Sequence, residues 1–419
     1  MMAALLSTAL FAALTLSVPL RTRQYSNGSY LPPLRFTANG TFQLSIFEDL
    51  HFGENAWDPW GPQQDINSVK VINGVLDAEP DTQLVVLNGD LITGENAYLG
   101  NATVKIDQIV APLVQRGLTW ASTYGNHDSS YNLSREGILA REHQWPGART
   151  VNMVQGGDAG VSNYYLPVYP SSGGDEPCLI LWFFDSRGGF LYQQRNASGD
   201  LVGQADWVDK SVVDWFTIAN AGFVATYGKT IPSIAFVHIP TNASQALQTE
   251  AKVDPNHQPG INDDYILAGQ AQGWCADGAN TPDCVYGGQD IPFMQAITST
   301  PGLIGVFSGH DHGDTWCYKW DKLLPGMTVK GNGINLCFGQ HTGYGGYGNW
   351  IRGSRQVLIS EAMLQNLEAE TWIRLESGDV VGSVSLNATY NEDVYPVTPN
   401  TKTSCSTCNY TIITNMPGT

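Results

Sequence analysis

The sequence predicts a layered α/β fold, because short apolar runs alternate with longer helical patterns along the chain. The apolar runs are rich in β-branched and aromatic residues and end in polar residues, as buried strands do. The predicted strands cover residues 42–47, 84–87, 119–124, 179–184, 234–237 and 303–307.

Three amphipathic patterns between these runs predict helices. In residues 65–79, Val69, Ile72 and Leu76 fall on one stripe, and residues 104–115 and 204–220 repeat this spacing. An open sheet that is built from alternating strands and helices binds its ligands beyond the C-terminal ends of the strands. Functional residues are therefore expected where the predicted strands end.

Length and charge limit the classes of function. A chain of 419 residues can form one large domain or two smaller ones. Its 21 basic and 39 acidic residues give a formal net charge of −18, which disfavours nucleic acid and anionic membranes as partners. A small anionic substrate stays compatible, because bound divalent cations dominate the field inside a site. We expect one domain over residues 35–385 and a polar tail over 386–419.

The N-terminus and the glycosylation motifs point to the secretory pathway. The apolar run up to Val18, followed by Pro19 and Arg21, is typical of a signal peptide over residues 1–20; a buried N-terminal helix is the alternative. No later segment reaches the about 18 consecutive apolar residues of a membrane span. Asn-X-Ser/Thr motifs favour a secreted glycoprotein with N-glycans. They begin at Asn27, Asn39, Asn101, Asn132, Asn196, Asn242, Asn387 and Asn409.

The seven cysteines are odd in number, so at least one stays unpaired in an oxidised monomer. Close spacing suggests three disulfides, although sequence alone leaves the connectivity open. Cys178 opens an apolar run, and we predict a buried free thiol there. The suggested pairs are Cys275 with Cys284, Cys317 with Cys337, and Cys405 with Cys408.

Residue types that bind metals follow five of the predicted strands. Each of them is unremarkable alone, because Asp-X-His and Gly-Asp are common in loops and a lone histidine after a strand is usually structural. Their joint occurrence at strand ends predicts a metal site. The candidate ligands are Asp49, His51, Asp90, Asn126, His238, His310 and His312.

The chemistry of this set suits two metal ions. Asp49 and His51 lie two residues apart, so on an extended segment both side chains point the same way. His310 and His312 have the same spacing, and a carboxylate such as Asp90 can bridge two cations about 3.5–4 Å apart. Imidazole, carboxylate and amide together favour zinc or another transition metal over calcium.

In order and spacing, these motifs resemble those of the calcineurin-like metallophosphoesterases. The set consists of Asp-X-His at Asp49, Gly-Asp at Asp90, Gly-Asn-His-Asp at Asn126, the single His238, and Gly-His-Asp-His at His310. Their longer forms are similar to a fungal and plant branch that is related to the purple acid phosphatases. The resemblance implies two facing β-sheets with helices on their outer sides, and hydrolysis of phosphate esters.

The resemblance also implies roles for individual residues. Asp49, His51, Asp90 and His312 would hold the first metal. The second would be held by Asp90, Asn126, His238 and His310. A hydroxide between the metals would attack phosphorus, and His127 would position the phosphate and protonate the leaving oxygen. Its orienting partner stays open between Glu95 and Asp128.

One position departs from the purple acid phosphatases. Their tyrosine ligand, three residues after the bridging aspartate, corresponds to Thr93 here. The resemblance therefore makes iron less suitable as the first metal. Manganese, zinc and magnesium become plausible alternatives.

Two other functions match parts of the sequence. The run from His310 to Asp314 imitates a metallo-β-lactamase signature, but Thr315 stands where the last histidine should be and His341 is the only later histidine. A secreted glycoprotein that has lost turnover is a second alternative.

Among phosphoesterases, a small monoester is the favoured substrate and a diester the alternative. Aromatic residues outside the metal shell are candidates for setting this selectivity. They are Trp57, Trp60, Tyr344, Tyr347 and the loop 275–286.

Overall fold

The computed structural model describes residues 31–100, 102–156, 158–266, 270–275 and 284–405, and the backbone of residues 25–26 and 29–30. The predicted signal peptide lies outside these residues, as do Asn27, Asn101 and Asn409. No helix in the described residues has the length and apolarity needed to cross a membrane.

The strands of the described residues have the following bounds. They are β1 (Tyr25–Ser26), β2 (Ser29–Tyr30), β3 (Leu34–Arg35), β4 (Thr41–Phe47), β5 (Thr82–Asn88), β6 (Trp120–Thr123), β7 (Tyr164–Tyr169), β8 (Leu179–Phe184), β9 (Phe190–Arg195), β10 (Leu201–Gly203), β11 (Ser233–Val237), β12 (Leu303–Ser308), β13 (Cys317–Trp320), β14 (Ile334–Phe338), β15 (Gly353–Ser360), β16 (Ala369–Leu375) and β17 (Val380–Leu386).

The helices lie between these strands. The α-helices are α1 (Gly61–Ala78), α2 (Lys105–Gln115), α3 (Arg135–Glu142), α4 (Lys210–Tyr227), α5 (Asn242–Ala246) and α6 (Ile291–Ser299). Short 3₁₀ turns cover Gly94–Asn96, Ala102–Val104 and Met363–Asn366, and a π-helical turn covers Leu247–Lys252.

Two large sheets carry the architecture. One has seven strands in the order β13-β14-β12-β11-β8-β7-β3, and the other has six in the order β17-β16-β15-β4-β5-β6. In the six-stranded sheet, β4, β5 and β6 run parallel. In the seven-stranded sheet, β8, β11, β12 and β14 run parallel. The C-terminal ends of the parallel strands therefore meet at one edge of each sheet.

The two sheets face each other across an apolar core. Alternate residues of β8 illustrate why, because Leu181 and Phe183 pack in one cluster with Leu44 and Val86 of the other sheet. The intervening Trp182 points to the opposite face, where it packs in a second cluster with residues of α4 and α6. A third cluster joins the outer face of the six-stranded sheet to α1 and α2. This period-two alternation produces four layers, helix, sheet, sheet and helix, and confirms the predicted fold class.

The predicted elements are confirmed with small shifts, except for the third helix. That helix was predicted over 204–220 but begins only at Lys210. Residues 201–203 form β10, and the Asp209 side chain caps the helix by accepting from the Ser211 backbone N–H. The helix ends at Tyr227, beyond the predicted end at 220, and is followed by Gly228, whose φ of 68° suits glycine.

Two of the suggested disulfides are present, Cys275–Cys284 and Cys317–Cys337. The second joins directly opposite residues of the neighbouring strands β13 and β14. Cys178 is free as predicted, but it is half-buried and not fully buried. Cys405 is disulfide-bonded, and Cys408 lies outside the described residues.

The segment after Leu386 packs along the domain. Tyr390 is buried, and its hydroxyl donates to the carbonyl oxygen of Cys317 at 2.7 Å. Further on, Lys402 forms an ion pair with Asp263 at 2.7 Å. The boundaries at residues 35 and 385 stay a prediction.

Candidate metal centre

Five strand ends bring all eight predicted site residues to the same edge of the two sheets. β4 leads to Asp49 and His51, β5 to Asp90, and β6 to Asn126 and His127. From the other sheet, β11 leads to His238, and β12 leads to His310 and His312. The parallel direction of these strands explains why residues so far apart in sequence converge.

The backbone leaves the strands in an uncommon conformation. The φ angles are 52° at Asp49, 47° at His51, 50° at Asp90 and 77° at His310, all in the left-handed region. Non-glycine residues rarely adopt it, and such residues cluster at functional sites. The expectation of an extended segment at Asp49 and His51 was therefore wrong. Their side chains converge because the chain turns sharply after the strand.

The first group of potential ligand atoms belongs to Asp49, His51 and His312. One atom from each side chain lies within 4.8 Å of the other two. The Nε2 atoms of His51 and His312 are 3.2 Å apart, and His312 Nε2 lies 3.5 Å from Asp49 Oδ1. Three ligand atoms at these separations can surround one cation.

The second group belongs to Asp90, His238 and His310, again within 4.8 Å of one another. His238 Nε2 lies 3.0 Å from Asp90 Oδ2. His310 and His312 thus fall into different groups, so the pair serves two neighbouring positions.

The two groups are adjacent. Asp90 also forms a third group with His51 and His127, and its Oδ2 lies 3.8 Å from His51 Nε2. Across the site, His238 Nε2 lies 3.8 Å from Asp49 Oδ1. Asp90 therefore stands where a carboxylate that bridges two cations is needed.

Asn126 fits the second position through an unused acceptor. Its Oδ1 atom is buried and has no hydrogen-bond partner among the described residues. The preceding Gly125 explains the close approach of this loop, since a Cβ atom there would lie 2.2 Å from Asp90 Oδ1 and 2.5 Å from His238 Cδ2. A buried amide oxygen without a donor costs free energy unless something binds it, and a cation supplies that partner.

Three of the histidines are oriented through their Nδ1 atoms. His238 Nδ1 lies 2.8 Å from the carbonyl oxygen of Asn88, and His312 Nδ1 lies 2.8 Å from that of Tyr347. His51 Nδ1 lies 3.1 Å from Thr93 Oγ1. Because a carbonyl oxygen accepts only, Nδ1 carries the proton in the first two, which leaves Nε2 free to bind a metal.

Burial and neighbouring charges shift the pKa values of the candidate ligands. Burial, and then the positive charge of His238, lowers the pKa of His310 to about 3. Burial would raise the pKa of Asp90, but His238 and His127 outweigh it and hold that pKa well below its usual range. Burial lowers the pKa of His238, but Asp90 and Asp49 outweigh it and raise that pKa to about 9, so His238 must lose its Nε2 proton when it binds a metal.

His127 is held by Glu95. Its Nδ1 atom lies 2.6 Å from Glu95 Oε1, and its backbone N–H donates to Asp90 Oδ1 at 2.8 Å. Burial lowers the pKa of His127, but the carboxylates of Glu95 and Asp90 outweigh it and raise that pKa to about 10. The orienting partner left open by the sequence is therefore Glu95.

Asp128, the other candidate partner, has a structural role. It accepts hydrogen bonds from the backbone N–H groups of Leu91, Ile92 and Gly125, at 2.8–3.0 Å. These bonds join the loop after β5 to the loop after β6. Asp128 thereby positions Asp90 relative to Asn126 through the backbone.

The aromatic residues that are candidates for setting substrate selectivity differ in exposure and in their contacts. Tyr347 stacks on His312 with ring centroids 4.0 Å apart and is 39% exposed, so it can contact a substrate. Tyr344 is buried, and its hydroxyl donates to Glu376. Trp57 packs against Tyr98, and Trp60 precedes α1. Most of the loop 275–286 lies outside the described residues.

The residues of the metallo-β-lactamase alternative do not extend the ligand groups. Within the described chain, neither Asp314 nor His341 belongs to one of the three groups. Asp314 accepts from Gln248, and His341 Nε2 lies 3.1 Å from the carbonyl oxygen of Gly345.

Comparisons with known proteins place the chain near several phosphatases in sequence. No protein-family model matches the chain. It is 24% identical over 364 residues to "Probable inactive purple acid phosphatase 14" of Arabidopsis thaliana, which covers 81% of this chain and 79% of that protein. It is 27% identical over 352 residues to phosphatase DCR2 of Saccharomyces cerevisiae, over 82% of this chain but only 55% of that protein. A solved dimetal phosphatase from Danio rerio aligns over 83% of this chain and 98% of that one, with 12% identity and a TM-score of 0.48.

The phosphatase relatives and the adjacent ligand groups support a metallophosphoesterase with a site for two metal ions. By sequence the chain is a relative of the purple acid phosphatases, as the motifs indicated.

Proposed function

We propose that the chain is a secreted phosphomonoesterase whose metal ligands are Asp49, His51, Asp90, Asn126, His238, His310 and His312, with His127 as proton donor. The observation that carries this proposal is that two ligand groups are adjacent, with Asp90 Oδ2 of the second group 3.8 Å from His51 Nε2 of the first. Two bound cations would acidify a water molecule, neutralise the phosphoryl oxygens and align the attacking and leaving oxygens.

The protein supplies orientation and a proton. Glu95 holds the Nδ1 atom of His127, which leaves Nε2 as the atom that can protonate a leaving oxygen. The hydrogen bond from the His127 backbone N–H to Asp90 Oδ1 holds this residue next to the proposed bridging ligand. Tyr347, stacked on His312, borders the same site.

Chelation tests this function. We expect the purified protein to hydrolyse an aryl phosphate monoester, to lose this activity on dialysis against a strong chelator, and to recover it when zinc, manganese or magnesium is restored. A bis-aryl phosphate and a nucleotide, assayed in parallel, separate the monoester from the diester alternative. Activity that survives complete metal removal would contradict the proposal.

The second candidate is a glycoprotein that keeps the site without turnover. It is favoured by the names of three Arabidopsis thaliana relatives, which are called "Probable inactive" purple acid phosphatases. In this chain, however, all seven proposed ligands and the proposed donor are present. A protein that binds two metals and hydrolyses none of the three substrates would support this candidate.

Replacing Glu95 by glutamine should move the pH dependence. The Glu95 carboxylate raises the pKa of His127, so its loss lowers that pKa, and the protonated, active imidazole disappears at a lower pH. We expect the alkaline limb of kcat/KM to shift towards lower pH, while the acidic limb stays in place. An alkaline limb that does not move would exclude Glu95 as the partner that sets this titration. Glu136, on the surface of α3, offers the control variant Glu136→Gln.

Secretion is also part of the proposal, supported by the apolar N-terminus and the glycosylation motifs. Expression of the full chain in eukaryotic cells should yield protein in the medium whose mass falls on enzymatic removal of N-glycans. The domain over residues 35–385 is proposed as the catalytic unit.

A further inference from the structure

The orienting partner of His51 differs in kind from those of His238 and His312. The latter two direct Nδ1 at backbone carbonyl oxygens, which no substitution can remove. His51 directs Nδ1 at the Thr93 hydroxyl, 3.1 Å away. A hydroxyl can donate or accept, so by itself it does not decide which nitrogen of the imidazole carries the proton.

Glu54 decides the direction of this hydrogen bond. The Thr93 hydroxyl donates to Glu54 Oε2 at 3.5 Å, so its lone pairs are left for an N–H of His51. Both residues are buried, with exposures of 0% for Thr93 and 2% for Glu54. The backbone N–H of Gly346 also donates to Glu54 Oε2, which holds the carboxylate in place.

The loop that carries Thr93 is fixed on both sides of the threonine. The backbone N–H of Thr93 donates to the carbonyl oxygen of Phe52, the residue after His51, at 3.0 Å. The following Gly94 N–H donates to the carbonyl oxygen of His127 at 2.8 Å. The hydroxyl is therefore held at a defined point, as an orienting group must be.

We propose that Thr93 and Glu54 position His51 by a relay in which Nδ1–H donates to the Thr93 hydroxyl and this hydroxyl donates to Glu54. The relay presents the unprotonated Nε2 atom of His51 to the first metal. The residue that replaces the tyrosine ligand of the purple acid phosphatases thus acts on the same metal indirectly, through an imidazole. This inference rests on the proposed function only in requiring that the ligand groups hold metal ions.

The test compares two substitutions at Thr93. Thr93→Val keeps the shape of the side chain and removes the hydroxyl, whereas Thr93→Ser keeps the hydroxyl. We expect Thr93→Val to weaken the binding of one of the two metal ions by about 10–100-fold and Thr93→Ser to stay close to wild type. The measurement is the zinc content of the full chain, equilibrated with zinc buffers of graded free concentration, and it needs no turnover.

Thr82→Val is the matched control. Thr82 is buried at the opposite end of β5, where its hydroxyl donates to the carbonyl oxygen of Glu79 at 2.9 Å. This variant loses a buried hydrogen bond as well, but it should retain both metal affinities. Wild-type affinity in Thr93→Val, or an equal loss in Thr93→Ser, would overturn the relay. Normal zinc binding without hydrolysis in the wild type would refute the proposed function alone, because the comparison of the variants is still read from zinc content.

Discussion

Replacing Asp90 by asparagine should lower kcat/KM by on the order of 10³-fold or more. Asp90 belongs to the second ligand group, and its Oδ2 lies 3.8 Å from His51 Nε2 of the first group, so both proposed metal positions lose a negatively charged ligand. A cost of about 4 kcal/mol in transition-state stabilisation corresponds to this factor. The measurement is steady-state hydrolysis of an aryl phosphate under saturating metal.

Asparagine removes the charge of Asp90 with the least change in structure, because its Oδ1 atom can still accept the hydrogen bond from the His127 backbone N–H. The fold of the loop after β6 should therefore persist. Asp290→Asn is the control, since Asp290 is also fully buried but lies at the start of α6, outside the ligand groups. If Asp90→Asn kept activity within a few-fold of wild type, the bridging role of Asp90 would be refuted.

His127→Ala should lower kcat by about 10²–10⁴-fold on an alkyl phosphate, the range usual for removal of a general acid. The loss should be much smaller on a nitrophenyl phosphate, because that leaving group departs without protonation. The dependence on the leaving group distinguishes a proton donor from a residue that only holds the phosphate, since loss of phosphate binding affects both substrates equally.

Metal content provides the control for this variant. His127 belongs to a ligand group with His51 and Asp90, so the geometry by itself also allows a role as a ligand. We expect His127→Ala to keep both metal ions. Loss of one ion, with an equal fall in rate for both substrates, would show that His127 is a ligand and that the proton comes from elsewhere.

Much of the fold follows from local patterns. The apolar runs that become β4, β5, β8, β11 and β12 are short, rich in β-branched and aromatic residues, and followed by polar residues. Because side chains alternate in a strand, one continuous run can pack on both faces of a sheet, as β8 does with Phe183 and Trp182. The start of α4 was missed because Asp209 caps the helix several residues into an apolar pattern that looked continuous.

Local sequence patterns predict only part of the candidate site. The ligand types stand directly after the strands, so their convergence follows from strand order and direction. Glu95 could not be chosen over Asp128, because its approach to His127 depends on a contact between two loops, the hydrogen bond from Gly94 to the carbonyl oxygen of His127. Likewise, nothing local predicts a left-handed backbone at Asp49, since only the packed site holds a non-glycine residue there.

The proposed role of Thr93 could not be predicted from the sequence either. The motifs indicated that a tyrosine ligand is missing, but the contact of Thr93 with His51 and Glu54 requires the segment after β5 to meet the segment after β4. A threonine in a loop has no pattern that distinguishes an orienting hydroxyl from an ordinary turn residue.

The most direct test of the account is the number of metal ions that one chain binds, measured by elemental mass spectrometry on wild-type protein after equilibration with metal and removal of the excess. The convergence of five strand ends on two adjacent ligand groups predicts two ions per chain, both removable by chelator. One ion per chain, or none, would contradict the account.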